Sequence, residues 1–376
     1  MARAGELADL CDALWPPAWA EPWDNVGLLL GSRGAEVSRC MWALDADVPS
    51  IEAAAAAGCQ LLCSHHPLPF RPLTRVRTDD PSGAAVLLAA RSGLCLYAAH
   101  TNLDVHPRGT SWALAQALGL HEARLLRPAA AETLLKLVVF VPAAHAEAVL
   151  QALGDAGAGR LGQYSHCSFS APGTGAFRPL PGARPFAGEV GVLHREAEVR
   201  LEVLLPEVHR AAAVAALLAA HPYEEVAYDL IRLENPGPAR GYGMVGRLAR
   251  PARLESFAAA VGRRLGAAAV RFVGSPERAV RRAAVCGGAG ASCVDAALAE
   301  GADALVTADL RYHESREAEA RGLALVDPGH QATEAPVVAV AASALREAAE
   351  AAGLQAEVLV QPRRADVWRA ARRGRP

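Results

Sequence analysis

Aromatic residues are scarce, at 5% of the chain, and none of the eight cysteines (Cys11, Cys40, Cys59, Cys63, Cys95, Cys167, Cys286, Cys293) forms a C-x-x-C pair. The missing pairs remove the usual signals of a thiolate zinc site or a disulfide framework. Reduced, buried thiols are the expectation instead. No apolar run approaches the ~20 residues needed to cross a bilayer. Glu6 and Asp9 stand where a secretory leader would need an apolar centre. No membrane association and a cytoplasmic location are therefore expected. An excess of one charge is also lacking: the formal net charge is −2 and the pI is near 6.6, which gives no sign of nucleic-acid binding. The basic end (Arg363, Arg364, Arg369, Arg372, Arg373, Arg375) reads as a solvated tail.

What the chain has in quantity is apolar material, 52% of 376 residues, enough for a large core. A chain of this length is expected to form two or three domains. Residues 5–14 read as a short amphipathic helix and Val26–Leu30 as a strand after the Trp23-Asp24-Asn25 turn. Ser38–Asp45 reads as a strand, followed by an Ala-rich helix closed at Gly58. Leu61–Phe70, LLCSHHPLPF, starts as a buried strand. Pro67 and Pro69 forbid a helix or a regular ladder directly after it. Helix Ala84–Arg91, strand Leu94–Ala99 and helix Ser111–Leu118 follow. This alternation implies a layered α/β domain with a largely parallel sheet.

Between 131 and 240 the rhythm changes to β (Leu134–Val141), α (Ala143–Ala156), β (Tyr164–Ser170), β (Val199–Leu205), α (Val208–Ala220), β (Val226–Leu233). That order is a ferredoxin-like split βαβ unit. The Pro/Gly-rich stretch Ala171–Gly188 reads as a long surface loop, and Glu234–Pro238 as a linker. The α/β pattern then resumes, with strands Met244–Leu248, Ala283–Val285, Ala304–Thr307, Leu323–Val326 and Ala356–Val360 and helix Leu254–Leu265. The organisation is thus an α/β domain of two halves, 1–128 and 241–376, interrupted by an α+β insert, 129–240. Cys286–Ser292 reads as a Gly-rich turn before a helix, a weak candidate for holding an anion on backbone N–H groups.

Four polar clusters sit just after apolar strands: His65/His66, His100/Asp104, Asp309/His313 and His330/Glu334. In open α/β sheets ligands bind beyond the carboxyl ends of strands. Adjacent histidines inside a strand would face opposite ways, but at a strand end both can turn toward one place. The pairs Asp309/His313 and His330/Glu334 are spaced i, i+4, which puts each pair on one helix face. Each pair alone is explained by an ordinary polar helix start; all four together are not, because so many clustered ionisable groups need a counter-ion. Imidazoles and carboxylates without thiols suit two divalent cations, with Zn, Mn, Fe and Ni all compatible. His166, His194 and His221 lack ligand spacing and read as ordinary hydrogen-bonded histidines.

WDNVGLLLG, SHHP, HTNLD, TADLRYH and DPGHQATE, in that order, resemble the Nif-three-like dinuclear metal-centre proteins, known as GTP cyclohydrolase 1 type 2 homologs. The resemblance covers essentially the whole chain. GQYSHCSFSAPGTGAFRP and HPYEEVAYD resemble the CutA/PII-like insert of the longer members. The resemblance implies a toroidal homo-hexamer and two divalent metal ions per chain facing an internal cavity. It implies His65, His66, Asp104, His330 and Glu334 as the ligands: His66 and Asp104 on one ion, His65 and His330 on the other, Glu334 bridging. Ala308 departs from the family pattern, which has Gly in this turn. Two functions stay open. One is a metal-dependent hydrolase acting on a nucleotide-like small molecule, with His100 or His313 moving protons. The other is a non-catalytic metal-binding or regulatory protein with the insert as sensor or lid.

Overall fold

The computed structural model describes residues 1–129, 131–162, 164–237 and 239–369. The chain divides into two compact units, Met1–Ala129 with Arg240–Pro376, and Ala130–Ala239.

The first unit is mixed α/β and holds a five-stranded and a six-stranded sheet. The five-stranded sheet runs Glu357–Val360, Arg39–Asp45, Leu61–His66, Cys95–Ala98, Gly27–Leu30. Only its last junction is antiparallel. Its central strands are apolar on both faces, as buried parallel strands must be. Trp42, Cys63 and Tyr97 pack toward helices Ala4–Leu14 and Pro336–Ala351. Met41, Leu62 and Leu96 pack on the other side with Ile51, Ala85 and Ala89, from helices Val48–Ala56 and Pro81–Arg91.

The six-stranded sheet runs Arg271–Val273, Ala324–Asp327, Ala304–Ala308, Ala279–Ala289, Gly241–Arg253, His121–Pro128. Only two of its five junctions, those on either side of Ala304–Ala308, are parallel, so the expectation of a largely parallel arrangement holds for the five-stranded sheet and is corrected for this one. The insertion accounts for one of the three antiparallel junctions. The segments entering and leaving it pair antiparallel with each other, Pro128 opposite Gly241. His121–Pro128 carries no strand signal in sequence: it lies at the sheet edge with a single buried residue, so it lacks an apolar run. The expected Gly-rich turn is also corrected, because strand Ala279–Ala289 continues through Gly287 and Gly288.

The second unit is a four-stranded antiparallel sheet in the order Tyr228–Arg232, Leu134–Pro142, His194–Pro206, Ser168–Phe177. Helices Ala146–Asp155 and Arg210–Ala220 contribute Val149, Leu153, Ala213 and Leu217 to one core with Leu137, Val139, Leu201 and Val203. The loop expected from Ala171 is in part strand, since Ala171–Phe177 pairs with His194–Arg200. Pro172 is tolerated there because this is an edge strand, where a missing N–H costs no ladder bond. Two histidines of this unit are engaged locally: His194 Nε2 lies 2.9 Å from Glu196 Oε2, and His221 Nε2 donates to the Phe140 carbonyl.

None of the eight cysteines is in a disulfide, and among the described residues no helix is long and apolar enough to cross a membrane. The basic end is less free than expected: Arg363 donates to the Leu265 carbonyl, and Arg364 pairs with Asp47 at 2.6 Å. Pro238 of the linker and Arg372, Arg373 and Arg375 of the tail lie outside the described residues.

The second unit has a core of its own, so residues 128–240 expressed alone should melt cooperatively. Leu153→Ala, at a fully buried position, should cost that transition about 2–5 kcal/mol. A non-cooperative melt with a collapsed NMR spectrum would show that the unit depends on the rest of the chain.

Candidate metal centre

Each histidine of the cluster is held from behind, at Nδ1. The Leu61–His66 strand ends at Pro67, which cannot donate to a ladder. His65 is fully buried, and its Nδ1–H donates to the Ala99 carbonyl at 3.0 Å. His66 Nδ1–H donates to Asp45 Oδ1 at 2.7 Å. Asp45 ends the neighbouring strand, where the parallel register sets it opposite His66. His100 follows strand Cys95–Ala98, and its Nδ1–H donates to Asp24 Oδ1 at 2.9 Å. Asp24 also accepts from the Thr101 amide and hydroxyl. His330 opens the short helix His330–Glu334, and its Nδ1–H donates to Asp309 Oδ2 at 2.7 Å. An imidazole engaged at Nδ1 offers Nε2 to whatever lies in front, the usual arrangement behind ligating histidines.

What lies in front is carboxylate. Glu334 is buried, with Oε1 3.0 Å from His330 Nε2 and Oε2 3.1 Å from His66 Nε2. His65 Nε2 lies 3.6 Å from Asp104 Oδ1 and 3.8 Å from Glu334 Oε1. The rings of His65 and His66 are 4.9 Å apart and those of His66 and His330 5.7 Å. Two groupings bring ligand atoms within 4.8 Å of one another: His65, His66 and His100, and His66, His330 and Glu334. These distances set His65 beside Asp104 and His66 beside His330, the reverse of the implied pairing. His65 Nε2 and Glu334 Oε2 are buried without an aligned hydrogen bond, an arrangement that is costly unless a cation satisfies both. The donor set fits a divalent metal of the nitrogen/oxygen class.

Without a metal, protons take the cation's part. Burial works against a charged His66, but Asp45 and Glu334 outweigh it and push its pKa up to about 10. Contact with Glu334 raises His330 to about 9, against its partial burial. Burial likewise opposes charge on His65, yet Asp104 and Glu334 leave it above the ordinary value. Burial would raise Glu334, but the imidazoles of His330, His65 and His66 hold it far below the usual carboxylate range. The same is true of Asp24, where the bonds from His100 and Thr101 overcome burial.

Asp309 and His313 do not share a helix face. Helix Tyr312–Ala320 begins after Asp309, which has φ of +56° and turns to His330 instead. His313 is exposed, its ring against Tyr312, and it belongs to neither grouping. Two aspartates of the cluster were not foreseen. Asp24 looked like turn chemistry and Asp45 like a strand terminus. Only the Asp45 position carried a signal, being the last residue of the strand that neighbours SHH.

The Gly-rich segment also serves this site. Gly288 has φ of +61°, and a Cβ there would overlap the Glu334 carboxylate. Its amide donates to Thr333 Oγ1 at 2.9 Å, and Thr307 Oγ1 donates to its carbonyl at 2.9 Å. The Gly288 amide is therefore not free to cradle an anion.

A family model for Duf34/NIF3 (NGG1p interacting factor 3) matches residues 2–366. The chain belongs to the Duf34/NIF3 family. Curated relatives of this NIF3 chain bear the name "GTP cyclohydrolase 1 type 2 homolog". The protein from Halalkalibacterium halodurans is 42% identical over 330 residues, 88% of this chain and 89% of that one. The Bacillus subtilis protein is 41% identical over 327 residues, 87% and 88% of the two chains. Among solved structures, a Bacillus cereus protein related to NIF3 superposes with a TM-score of 0.83 at 37% identity, covering 98% of this chain and 99% of that chain. Staphylococcus aureus protein SA1388 superposes with a TM-score of 0.73 at 26% identity, with the same coverage.

The proton-filled cluster makes a pH prediction for the chelated protein. His66 and His330 have folded pKa values near 10 and 9, above the unfolded value of ~6.5. Their contribution to stability is complete below pH ~6.5, declines above it and is gone beyond pH ~10. Glu334 works in the opposite sense: its contribution is complete above the ordinary carboxylate value of ~4.3 and is lost as pH falls. Thermal melts of the chelated protein should therefore lose stability from pH 7 to 10 more steeply than those of His66→Gln. Parallel profiles would show that the imidazoles are not coupled to these carboxylates.

Proposed function

We propose that this chain is a dinuclear divalent-metal protein acting as a metal-dependent hydrolase on a nucleotide-like small molecule. The observation that carries the metal reading is the convergence of imidazole Nε2 atoms on Glu334 and Asp104, with His65 Nε2 buried and without an aligned hydrogen bond. His65, His66, Asp104, His330 and Glu334 would hold the two ions, Glu334 reaching both because its two oxygens face different imidazoles. When bound, such a pair supplies Lewis acidity and lowers the pKa of water. Zn, Mn, Fe and Ni all accept this donor set.

The chain's own residues supply orientation and proton handling. Asp24 is ionised and fixes the His100 ring, whose centroid lies 5.1 Å from that of His65. We assign His100 the role of proton carrier, its ring beside His65 and His66 and packed against Trp23 and Phe70. The nucleotide-like substrate class rests on the relatives' name. A non-catalytic, regulatory role is the second reading, favoured by the Gly288 amide being committed to Thr333 rather than to a phosphate. The assembly we propose is a homo-hexameric toroid. We read the insert as a ferredoxin-like, CutA/PII-like unit, on the support of its βαββαβ order and antiparallel sheet.

Elemental analysis and native mass spectrometry should find two divalent ions per chain and a six-chain assembly. Chelation should lower the melting temperature, because a ligand at a thousandfold excess over its Kd stabilises the folded state by about 4 kcal/mol. Glu334→Ala should fill neither metal position, whereas His65→Ala should weaken one and spare the other. Two ions retained in Glu334→Ala would remove the bridging role. With purine nucleoside triphosphates as probes, His100→Gln should keep its metal and lose about 10²–10⁴-fold in rate. A metal-loaded wild type that turns over none of them would favour the regulatory reading.

A further inference from the structure

The second unit carries a cavity of about 800 Å³ that shares no residue with the metal cluster. It lies on the sheet face opposite the two helices. The core residues Leu201, Val203 and Leu205 alternate along their strand with Glu198 and Arg200, which line the cavity floor. The segment 178–186 and the turn at Tyr223–Glu225 form its walls, and they are tied together where the Arg184 amide donates to Glu224 Oε1 at 2.9 Å. This is the size and largely apolar lining of a small-molecule site.

Its polar centre is unusual. Glu198 is only 9% exposed. Its Oε1 accepts from the Tyr223 hydroxyl at 2.9 Å, and among the described residues it has no ion pair; the adjacent Arg200 pairs with Glu202 instead, at 3.0 Å. A largely buried carboxylate without a cation is costly to maintain. The sheet makes room for it: a Cβ added at Gly175 would overlap the Glu198 carboxylate. Around it stand aromatic rings, with Tyr223 5.8 Å from Phe177 and 6.0 Å from Phe186. Aromatic faces beside a buried carboxylate favour a positive charge carried on an apolar body. Glu224 and Glu225 at the wall carry charge of the same sign, against Arg178 and the Glu202-paired Arg200 in the same lining, so the acidic groups outnumber the basic ones.

We infer that this cavity binds a small organic ammonium with an aromatic or branched apolar body. Glu198 is its counter-charge, and Phe177, Phe186 and Tyr223 enclose the apolar part. The insert is then a ligand-reading unit in its own right.

The test uses the full chain with 2-phenylethylammonium as probe and the uncharged 2-phenylethanol as its partner, titrated by calorimetry or NMR. The amine should bind at least tenfold tighter than the alcohol. Glu198→Gln, matched in shape, should abolish that preference without changing alcohol affinity. Phe186→Ala removes a half-exposed wall side chain and should weaken both probes even where Glu198→Gln folds poorly. Equal affinity for amine and alcohol, a preference that survives Glu198→Gln, or binding unaffected by Phe186→Ala would each overturn the assignment. So would an amine that does not bind while Phe186→Ala changes the oligomeric state, since the face would then be covered by a second copy of the chain.

Discussion

The first unit's chemistry depends on one constraint: three imidazoles are each held at Nδ1 by a carboxylate. Asp45 holds His66, Asp24 holds His100 and Asp309 holds His330. Each bond does two things. It fixes the ring's rotation, and it makes Nε2 the atom presented to the centre. His65 obtains the same result from a backbone carbonyl. With the rings so fixed, Glu334 meets nitrogen on both of its oxygens and cannot relax away, because it is buried. The cluster is preorganised, and protons would compete with any metal ion for the same atoms.

That arrangement needs two sheets to end at the same place. His65 and His66 end one strand of the five-stranded sheet, and His100 follows another. His330 and Glu334 follow strand Ala324–Asp327 of the six-stranded sheet. The glycines of strand Ala279–Ala289 permit the approach: Gly288 comes so close to Glu334 that no side chain fits, and the Thr333 and Thr307 hydroxyls bond to its backbone. A Gly-rich segment that is only a weak anion-binding candidate in sequence is here a packing device.

The second unit shows how an insertion changes its host. Its entering and leaving segments pair with each other as two antiparallel strands of the six-stranded sheet. Within the unit, the helices cover one sheet face, and the other face carries Glu198 and the aromatic cavity.

The sequence by itself determined a good deal. Apolar strands ending in His-His, His-Thr-Asn-Leu-Asp and Gly-His-x-x-x-Glu announced a nitrogen/oxygen cluster, because strand ends are where ionisable groups escape the core. Alternation of strands and helices announced a layered α/β unit, and the change of rhythm after residue 131 announced an insert. Several features were decided only in three dimensions. Asp24 and Asp45 lie 76 and 21 residues from the histidines they hold, and no local pattern marks a partner at that range. Edge strands such as His121–Pro128 and Ser168–Phe177 bury too little to need an apolar run. Asp309 and His313 share a helical spacing, but a left-handed residue precedes the helix and sends Asp309 to His330. Spacing along a chain specifies neighbours only inside regular structure; at strand ends and loops, where this site is built, the packing of distant segments makes the choice.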